Sequence, residues 1–479
     1  MNNIFAHKHH RKTTIFSLAT IIIFISLFAG LIPLGYWRPD EFSTAVLFRD
    51  GGLEGLKHRL FYWSPRPFSE ILLYGYFWIV VKLNDQFITA TLSILWMMMF
   101  IAILVPSVVG RPRSRLLAFF CFTVLLFLII AGQKNSEALY WIQGSGAYIP
   151  TIVGLLIAFG VLVTSSMEES AARFLLAAGL SIAALSSETG AFLVGGFTAL
   201  TIIVLLFEKL FLNHKMLPNG LRTTGLLFPF VCSIFVGCFL LVNRTGSQLE
   251  VFGDTSIAHS VLGSGTEMLR TLPNRLFKFG DNVIFEGMRW AGIPVKLLFG
   301  LGCYLIFQTF SIDKRSGNLL LLFGIASVSA IAVSSFASYF QFGLHCCERH
   351  STMEQVFAWM AIGSVSAFFA SHFILGKDYS KLGISFLMCA CFITMAILFK
   401  GIIKNYQDFR TIEANNFITW SSGNEKSDTV ILRKFPPASI TQGGNDYASP
   451  GVYNLSDSDL AWHNKYILDF FKKDKLIVE

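Results

Sequence analysis

Charge is scarce in this chain of 479 residues. Only 14% of the residues are Asp, Glu, Lys or Arg, whereas 53% are hydrophobic and 48 residues are Phe. Soluble globular proteins carry about 25% charged residues. The low charge therefore excludes a soluble fold and predicts a protein whose main solvent is lipid.

Patterns that bind metals or nucleic acids are also missing. Six of the eight cysteines lie inside long apolar runs, where a small apolar side chain is expected. Cys346 and Cys347 are adjacent in a loop, so a bridge between them would be strained, and no CxxC spacing indicates zinc. The net charge of +8 comes from basic residues at the ends of apolar runs. We expect no metal, no cofactor and no nucleic-acid partner.

Long apolar runs recur along the whole chain. Each is long enough to cross about 30 Å of hydrocarbon as a helix, and lipid offers no partner to an open backbone group. The first run is too long for a signal peptide and no small-x-small cleavage site follows it, so we interpret it as a retained anchor. The sequence predicts an all-α polytopic membrane protein with eleven spans, at 14–34, 87–109, 116–132, 148–165, 171–187, 190–207, 222–242, 293–311, 318–340, 353–375 and 382–403.

Basic residues predict the orientation of these spans. The N-terminus (1–13) contains Lys8, Arg11 and Lys12 and should stay in the cytoplasm. Alternation from there places most of the loop lysines and arginines on the same side, whereas the short loops on the other side contain only Lys134 and Arg349. Within a membrane domain over 14–403, the large external loops are 35–86 and 243–292, and 404–479 is an external tail that forms a small cap.

The segment 68–83 is apolar but short, and its polar and aromatic residues suit a membrane interface. We interpret it as an interfacial helix in the first external loop. The alternative is a true span, which would invert every later loop.

Candidate chemistry begins directly after the first span. Asp40 and Glu41 are neighbouring carboxylates at the membrane surface, beside Arg38. Such a pair can supply a general base, because each raises the proton affinity of the other. The alternative is that they cap the positive end of a helix over 41–49.

A rigid arginine follows in the sequence Ser64-Pro65-Arg66-Pro67. A guanidinium that two prolines hold at headgroup depth is suited to bind a phosphate through two hydrogen bonds. The alternative is an ordinary interfacial arginine.

Other candidates lie in the later external loops. Aromatic faces suit a sugar ring, although a belt of Trp and Tyr at an interface is the simpler interpretation. A carboxylate near hydrocarbon is costly unless it is paired or functional. The residues predicted to complete a substrate pocket are Glu137, Trp141, Tyr148, Glu188 and Arg349.

The first external loop resembles that of the GT-C class of membrane glycosyltransferases. The shared order is an anchor helix, Asp-Glu near the start of the loop, an amphipathic helix, a [KR]-P element that opens an aromatic helix, and a long span; it covers about 60 residues. Within this class, a chain of this length resembles the serotype-converting glucosyltransferases of Gram-negative bacteria and their phages.

The resemblance implies a function and roles for several residues. Asp40 would be the catalytic base, Glu41 its neighbour and Arg66 a phosphate ligand. The enzyme would transfer a sugar, glucose in these relatives, from a polyprenyl-phosphate donor to a lipid-linked glycan such as O-antigen. It would reside in the bacterial inner membrane with its active site facing the periplasm. A small flippase and a polyprenyl-phosphate sugar synthase would be its functional partners.

Two other functions remain open. A transporter or flippase for lipid-linked sugars would place charged groups along a path inside the spans, whereas the candidates here lie on one face. An O-antigen polymerase or ligase would work through arginines of a large external loop, which here are Arg244, Arg270, Arg275 and Arg289.

Overall fold

The computed structural model describes residues 2–63, 65–109, 115–131, 136–211, 215–221, 223–245, 256–279, 290–310, 312–375, 378–433, 440–441, 451–456 and 462–479. Nearly all regular structure in them is helical. In chain order the helices are α1 (Asn2–Ala29), α2 (Pro39–His58), α3 (Pro67–Leu83), α4 (Ile88–Val109), α5 (Arg115–Ala131), α6 (Ile142–Thr164), α7 (Ser170–Ser186), α8 (Glu188–Phe211), α9 (Thr223–Thr245), α10 (Val261–Phe277), α11 (Gly292–Phe307), α12 (Lys314–Phe342), α13 (Glu348–His372), α14 (Ser380–Asn424) and α15 (Trp462–Phe471).

Eleven of these helices coincide with the predicted spans. Nine helical segments in the described chain are long and apolar enough to cross a membrane, and the shorter apolar helices α5 and α7 complete the set. The prediction of an all-α polytopic membrane protein is confirmed. Three helices, α2, α3 and α10, lie between spans without belonging to either group.

Helix α6 forms the centre of the bundle, and nearly all of its residues are buried. Small residues let its neighbour α7 approach closely: a Cβ on Gly179 would lie 2.7 Å from the carbonyl oxygen of Gly154. Glycines at such crossings allow two helix backbones to pack in direct contact. The first residues of α6 therefore have a fixed position at one end of the bundle. We call the end where α1 finishes and α6 begins the upper end.

Prolines and polar caps define the two helices of the first loop. Pro39 and Pro67 each stand at the first position of a helix, where a missing N–H costs nothing. The Glu41 carboxylate accepts the backbone N–H of Arg38 at 2.7 Å, so α2 starts at a defined residue. Helix α2 bends at Gly52, which has a φ of 52°. A π-helical turn at Arg59–Trp63 then leads toward α3.

Contacts at the two ends of α3 show how it lies. Arg66, at its start, faces Glu188 across 3.7 Å. Asn84, at its end, bonds Asn424 of α14 at 3.1 Å and accepts the Trp420 indole N–H at 3.3 Å. Four spans, α4 to α7, lie between α3 and Glu188, so Arg66 and Glu188 can share one end of the bundle only if α3 does not cross it. Both ends of α3 then lie at the upper end, in agreement with an interfacial helix.

The C-terminal tail differs from the prediction in two ways. Helix α14 was expected to end near residue 403, but it continues to Asn424, because residues 404–422 contain no Pro or Gly and their buried side chains pack. The tail also contains a three-stranded sheet in the order β1-β3-β2, formed by β1 (Thr429–Leu432), β2 (Gly451–Asn454) and β3 (Lys475–Val478). Strand β3 is parallel to β1 and antiparallel to β2, with Thr429 opposite Lys475 and Gly451 opposite Val478.

The placement of α3 predicts the result of a topology experiment. A reporter fused after Glu479 should behave as periplasmic, and one inserted in the loop 111–115 should behave as cytoplasmic, because the positive-inside rule keeps that basic loop inside. Paired alkaline phosphatase and fluorescent-protein fusions in a bacterial host provide the measurement. A cytoplasmic C-terminus or an external 111–115 loop would show that α3 crosses the membrane.

Candidate functional site

A cavity of about 510 Å³ lies at the upper end of the bundle. This volume is within the range of about 300 to 1,000 Å³ that is usual for small-molecule sites. Its wall is built from residues that are distant in the sequence but belong to loops predicted to share one side of the membrane, or to the ends of spans at that side. They are Asp40, Trp63, Arg66, Trp141, Gln143, Gly144, Tyr148, Glu188, Thr189, Phe192, Leu240, Ser334, Ala337, Ser338, Gln341, Phe342, Cys347, Arg349 and His350.

Six of the nine residues predicted for the site line this cavity. Asp40 comes from the first turn of α2, Arg66 from the start of α3 and Glu188 from the start of α8. Trp141, Tyr148 and Arg349 complete the group. The structure therefore brings together side chains from four separate loops. The other three predicted residues, Arg38, Glu41 and Glu137, lie behind the wall.

Asp40 is one of the two carboxylates, with Glu188, that face the cavity. It lies in the first turn of α2, where the positive end of the helix dipole favours a negative charge. Its backbone carbonyl accepts the hydroxyl groups of Ser43 and Thr44, which fixes this turn. A carboxylate held at a cavity wall is able to accept a proton from a bound hydroxyl.

Glu41 has a different position from its neighbour. Its side chain is fully buried and accepts the backbone N–H groups of Arg38 and Gln143 at 2.7 and 2.9 Å. Burial raises the pKa of Glu41 to about 8, although these two donors act in the opposite direction. The geometry makes Glu41 a capping residue that ties α2 to α6. The prediction that Asp40 and Glu41 act together as a pair does not fit this position. Successive side chains of a helix point about 100° apart, so only Asp40 lines the cavity.

Arg66 is held near two carboxylates without a short contact to either. Its guanidinium lies 3.6 Å from Glu70 and 3.7 Å from Glu188. Burial alone would lower its pKa, but these carboxylates raise the pKa overall, so Arg66 remains charged. Glu70 itself is engaged by Arg59 at 2.7 and 3.2 Å. Among the described residues, the buried Nε of Arg66 has no hydrogen-bond acceptor.

Glu137 joins two arginines, Arg38 and Arg349. Its carboxylate accepts Arg38 Nη1 at 2.8 Å and the backbone N–H of Arg349 at 3.2 Å. The Trp141 ring lies between their guanidinium groups, with its centroid 5.1 Å from Arg38 and 5.4 Å from Arg349. Burial would raise the pKa of Glu137, but Arg349 and Arg38 lower it overall. Arg38 and Glu137 thus position Trp141 and Arg349, which face the cavity.

Sequence reasoning missed the polar face of α12. Ser334, Ser338 and Gln341 line the cavity at spacings of four and three residues. One face of a helix carries residues at this spacing, so a polar stripe inside an apolar span was the available signal. Trp63 and Thr189 were also not predicted. The buried Nδ1 of His350 has no hydrogen-bond partner among the described residues.

The loop before α13 contains two adjacent cysteines that are bonded to each other. The sulfur atoms of Cys346 and Cys347 are 2.10 Å apart and form a disulfide. Cys347 adopts a positive φ of 74°. Among the described residues, no three metal-binding side chains cluster, and the side chain of Glu348 lies outside them.

The arginines of the second large loop do not form a separate site in the described chain. Arg275 is buried in an ion pair with Glu354 at 2.7 Å, and Arg270 pairs with Glu267 at the surface. Neither residue lines the cavity. The side chain of Arg244 and the whole of Arg289 lie outside the described residues.

Comparison of the chain with protein-family models, with curated proteins and with solved structures finds no match. The resemblance of the first external loop to GT-C enzymes therefore stays a prediction.

Proposed function

We propose that this membrane protein is a glycosyltransferase that moves a sugar, such as glucose, from a polyprenyl-phosphate donor to a glycan acceptor on the periplasmic side of the bacterial inner membrane. One observation carries the proposal: a single cavity gathers two carboxylates at helix N-termini, two arginines and several aromatic side chains, among them Trp141 and Tyr148, from distant parts of the chain. A carboxylate can accept a proton, arginines can bind a phosphate, and aromatic rings can pack against a sugar ring.

The phosphate of the donor fits the side of the cavity that contains Arg66, Arg349 and His350. Arg66 Nε and His350 Nδ1 are buried polar atoms without hydrogen-bond partners among the described residues. Leaving buried polar atoms unsatisfied costs free energy, and phosphate oxygens would satisfy the Arg66 donor. A histidine that carries its proton on Nδ1 would donate in the same way. Trp141 and Tyr148 offer ring faces for the sugar.

Asp40 would then activate the acceptor. The acceptor hydroxyl gives its proton to the Asp40 carboxylate while its oxygen bonds the anomeric carbon of the sugar. The bond from that carbon to the phosphate oxygen breaks, and polyprenyl phosphate leaves with the electron pair. Arg66 and Arg349 stabilise the charge that returns to the phosphate. No nucleotide is needed for this reaction.

The core below the cavity favours transfer over transport. Tyr148 lines the cavity, and Phe159 lies about three turns further along α6. The Phe159 ring packs against Phe122 at 6.3 Å and Phe323 at 6.1 Å between centroids. Phe197 also contacts Phe323, at 5.2 Å. A path for a polar sugar would have to pass this packed aromatic layer.

Replacement of Asp40 tests the proposed base. The Asp40→Asn variant keeps the size and hydrogen bonding of the side chain but cannot accept the proton, so sugar transfer should fall by about 10² to 10⁴. Glu41→Gln is the matched control and should have a milder effect, because the Glu41 side chain is fully buried and does not line the cavity. Side-chain analysis of lipopolysaccharide by mass spectrometry, at equal membrane abundance, gives the readout. Wild-type modification by Asp40→Asn would refute the assignment of the base.

Replacement of Arg66 tests the phosphate site. Arg66→Lys should already lose most of the activity, because a point charge cannot reproduce two parallel hydrogen bonds from a planar group. The loss should appear as weaker donor use in assays at varied donor concentration. Arg315→Lys, at the opposite end of the bundle, is the control and should behave as wild type. An Arg66→Ala variant with normal activity would reduce Arg66 to a structural residue.

A further inference from the structure

The residues that flank Asp40 are held by the end of the chain. Trp37 precedes Asp40 by three positions, and Phe42 follows it by two. The ring of Phe470, in α15, has its centroid 5.7 Å from that of Trp37 and 5.4 Å from that of Phe42. Phe471 also contacts Phe42, at 5.7 Å. Two adjacent aromatic residues of α15 therefore pack against the residues on both sides of the turn that contains Asp40.

A polar contact fixes α15 on α2 at a second point. Arg49 Nη1 donates to the backbone carbonyl of Phe470 at 3.0 Å and approaches that of Asp469 at 3.4 Å. These carbonyls belong to the last turn of α15, where helix carbonyls lack partners within the helix and attract positive charge. Arg49 is also oriented by Asp50, at 2.7 Å from its Nε. The contact aligns α15 along α2 beyond the aromatic pair.

The remainder of the tail and the end of α14 pack around α15. Strand β3 follows α15 directly and lies between β1 and β2, and β1 begins five residues after α14 ends. The Phe471 ring packs on Gly423 of α14, where an added Cβ would lie 2.7 Å from Phe471 Cγ. Trp420, one turn earlier on α14, contacts Phe470 at 5.6 Å and Trp37 at 5.7 Å. Through these contacts, the end of α14, which continues from the bundle, fixes the position of α15.

We propose that α15 and the end of α14 are positioning elements of the site, which hold the Asp40 turn at the correct place in the cavity. Phe470, Phe471 and Arg49 are the positioning residues, and they act through Trp37, Phe42 and α2. The catalytic part of this inference rests on the proposed function. The structural part of the inference is that loss of the Phe470 and Phe471 contacts frees the Asp40 turn. This part is independent of the proposed function.

The experiment uses the full-length protein with Phe470→Ala and Phe471→Ala combined. Phe417→Ala is the matched control, because this Phe lies on the same extended part of α14 and is 72% exposed. The double variant should lower kcat by about 100-fold with a smaller change in the donor KM, since a misplacement of about 1 Å in a reacting group has such an effect. Phe470→Tyr keeps the ring and should retain activity.

A second readout is independent of sugar transfer. In the Asp40→Cys background, a membrane-impermeant maleimide should label position 40 about tenfold faster when Phe470 and Phe471 are both replaced, because the turn opens more often. The same protein with Asp40 intact corrects for native cysteines. Phe417→Ala should leave the rate unchanged.

The outcomes separate the two proposals. Unchanged labelling together with wild-type kinetics in the double variant would overturn the inference. Faster labelling in a protein whose wild-type form transfers no sugar would support the positioning contact and reject the proposed function. If the double variant does not accumulate, Arg49→Gln takes its place: faster labelling supports the inference, and an unchanged rate overturns it.

Discussion

The carboxylate of Glu137 connects parts of the chain on which the site depends. Arg38 stands just before α2 and Arg349 at the start of α13, and both bond to Glu137 in the loop before α6. A buried carboxylate between two guanidinium groups is well compensated, and its loss would remove an ion-pair partner from the buried Arg38 and the partly exposed Arg349. The same arrangement fixes the Trp141 ring between the two cations. Loss of Glu137 would therefore loosen the part of the cavity wall that Trp141 and Arg349 form.

Contacts with the membrane bundle and with α15 hold α2 and α3 in place. The cavity lies above a core of packed phenylalanines, and α2 and α3 cover it from the side. Isolated short amphipathic helices are marginal in water, so α2 and α3 need tertiary contacts to keep a defined position. The bundle supplies these contacts at one side through Glu41 and Gln143, and α15 supplies them at the other side through Phe470.

The membrane spans were predictable because one property, apolar length, decides them. The nine long spans and the helices α5 and α7 follow the apolar runs closely. Asp40 and Arg66 were also accessible to sequence reasoning, since prolines and the end of a span fix their surroundings locally. The extension of α14 to Asn424 was not accessible, because residues such as Asn405 and Asn415 are buried by contacts that are remote in sequence. The role of Glu41 depends on the N–H of Gln143, more than a hundred positions away, and no local pattern indicates it.

Reconstitution in liposomes tests the central claim most directly. Purified protein is supplied with a radiolabelled polyprenyl-phosphate sugar and a glycan acceptor, and both the labelled acceptor and the donor in each leaflet are measured. Our account predicts labelled acceptor and free polyprenyl phosphate in equal amounts, with no movement of intact donor beyond that in protein-free liposomes. Intact donor that moves between leaflets while the acceptor remains unlabelled would contradict it and identify a transporter.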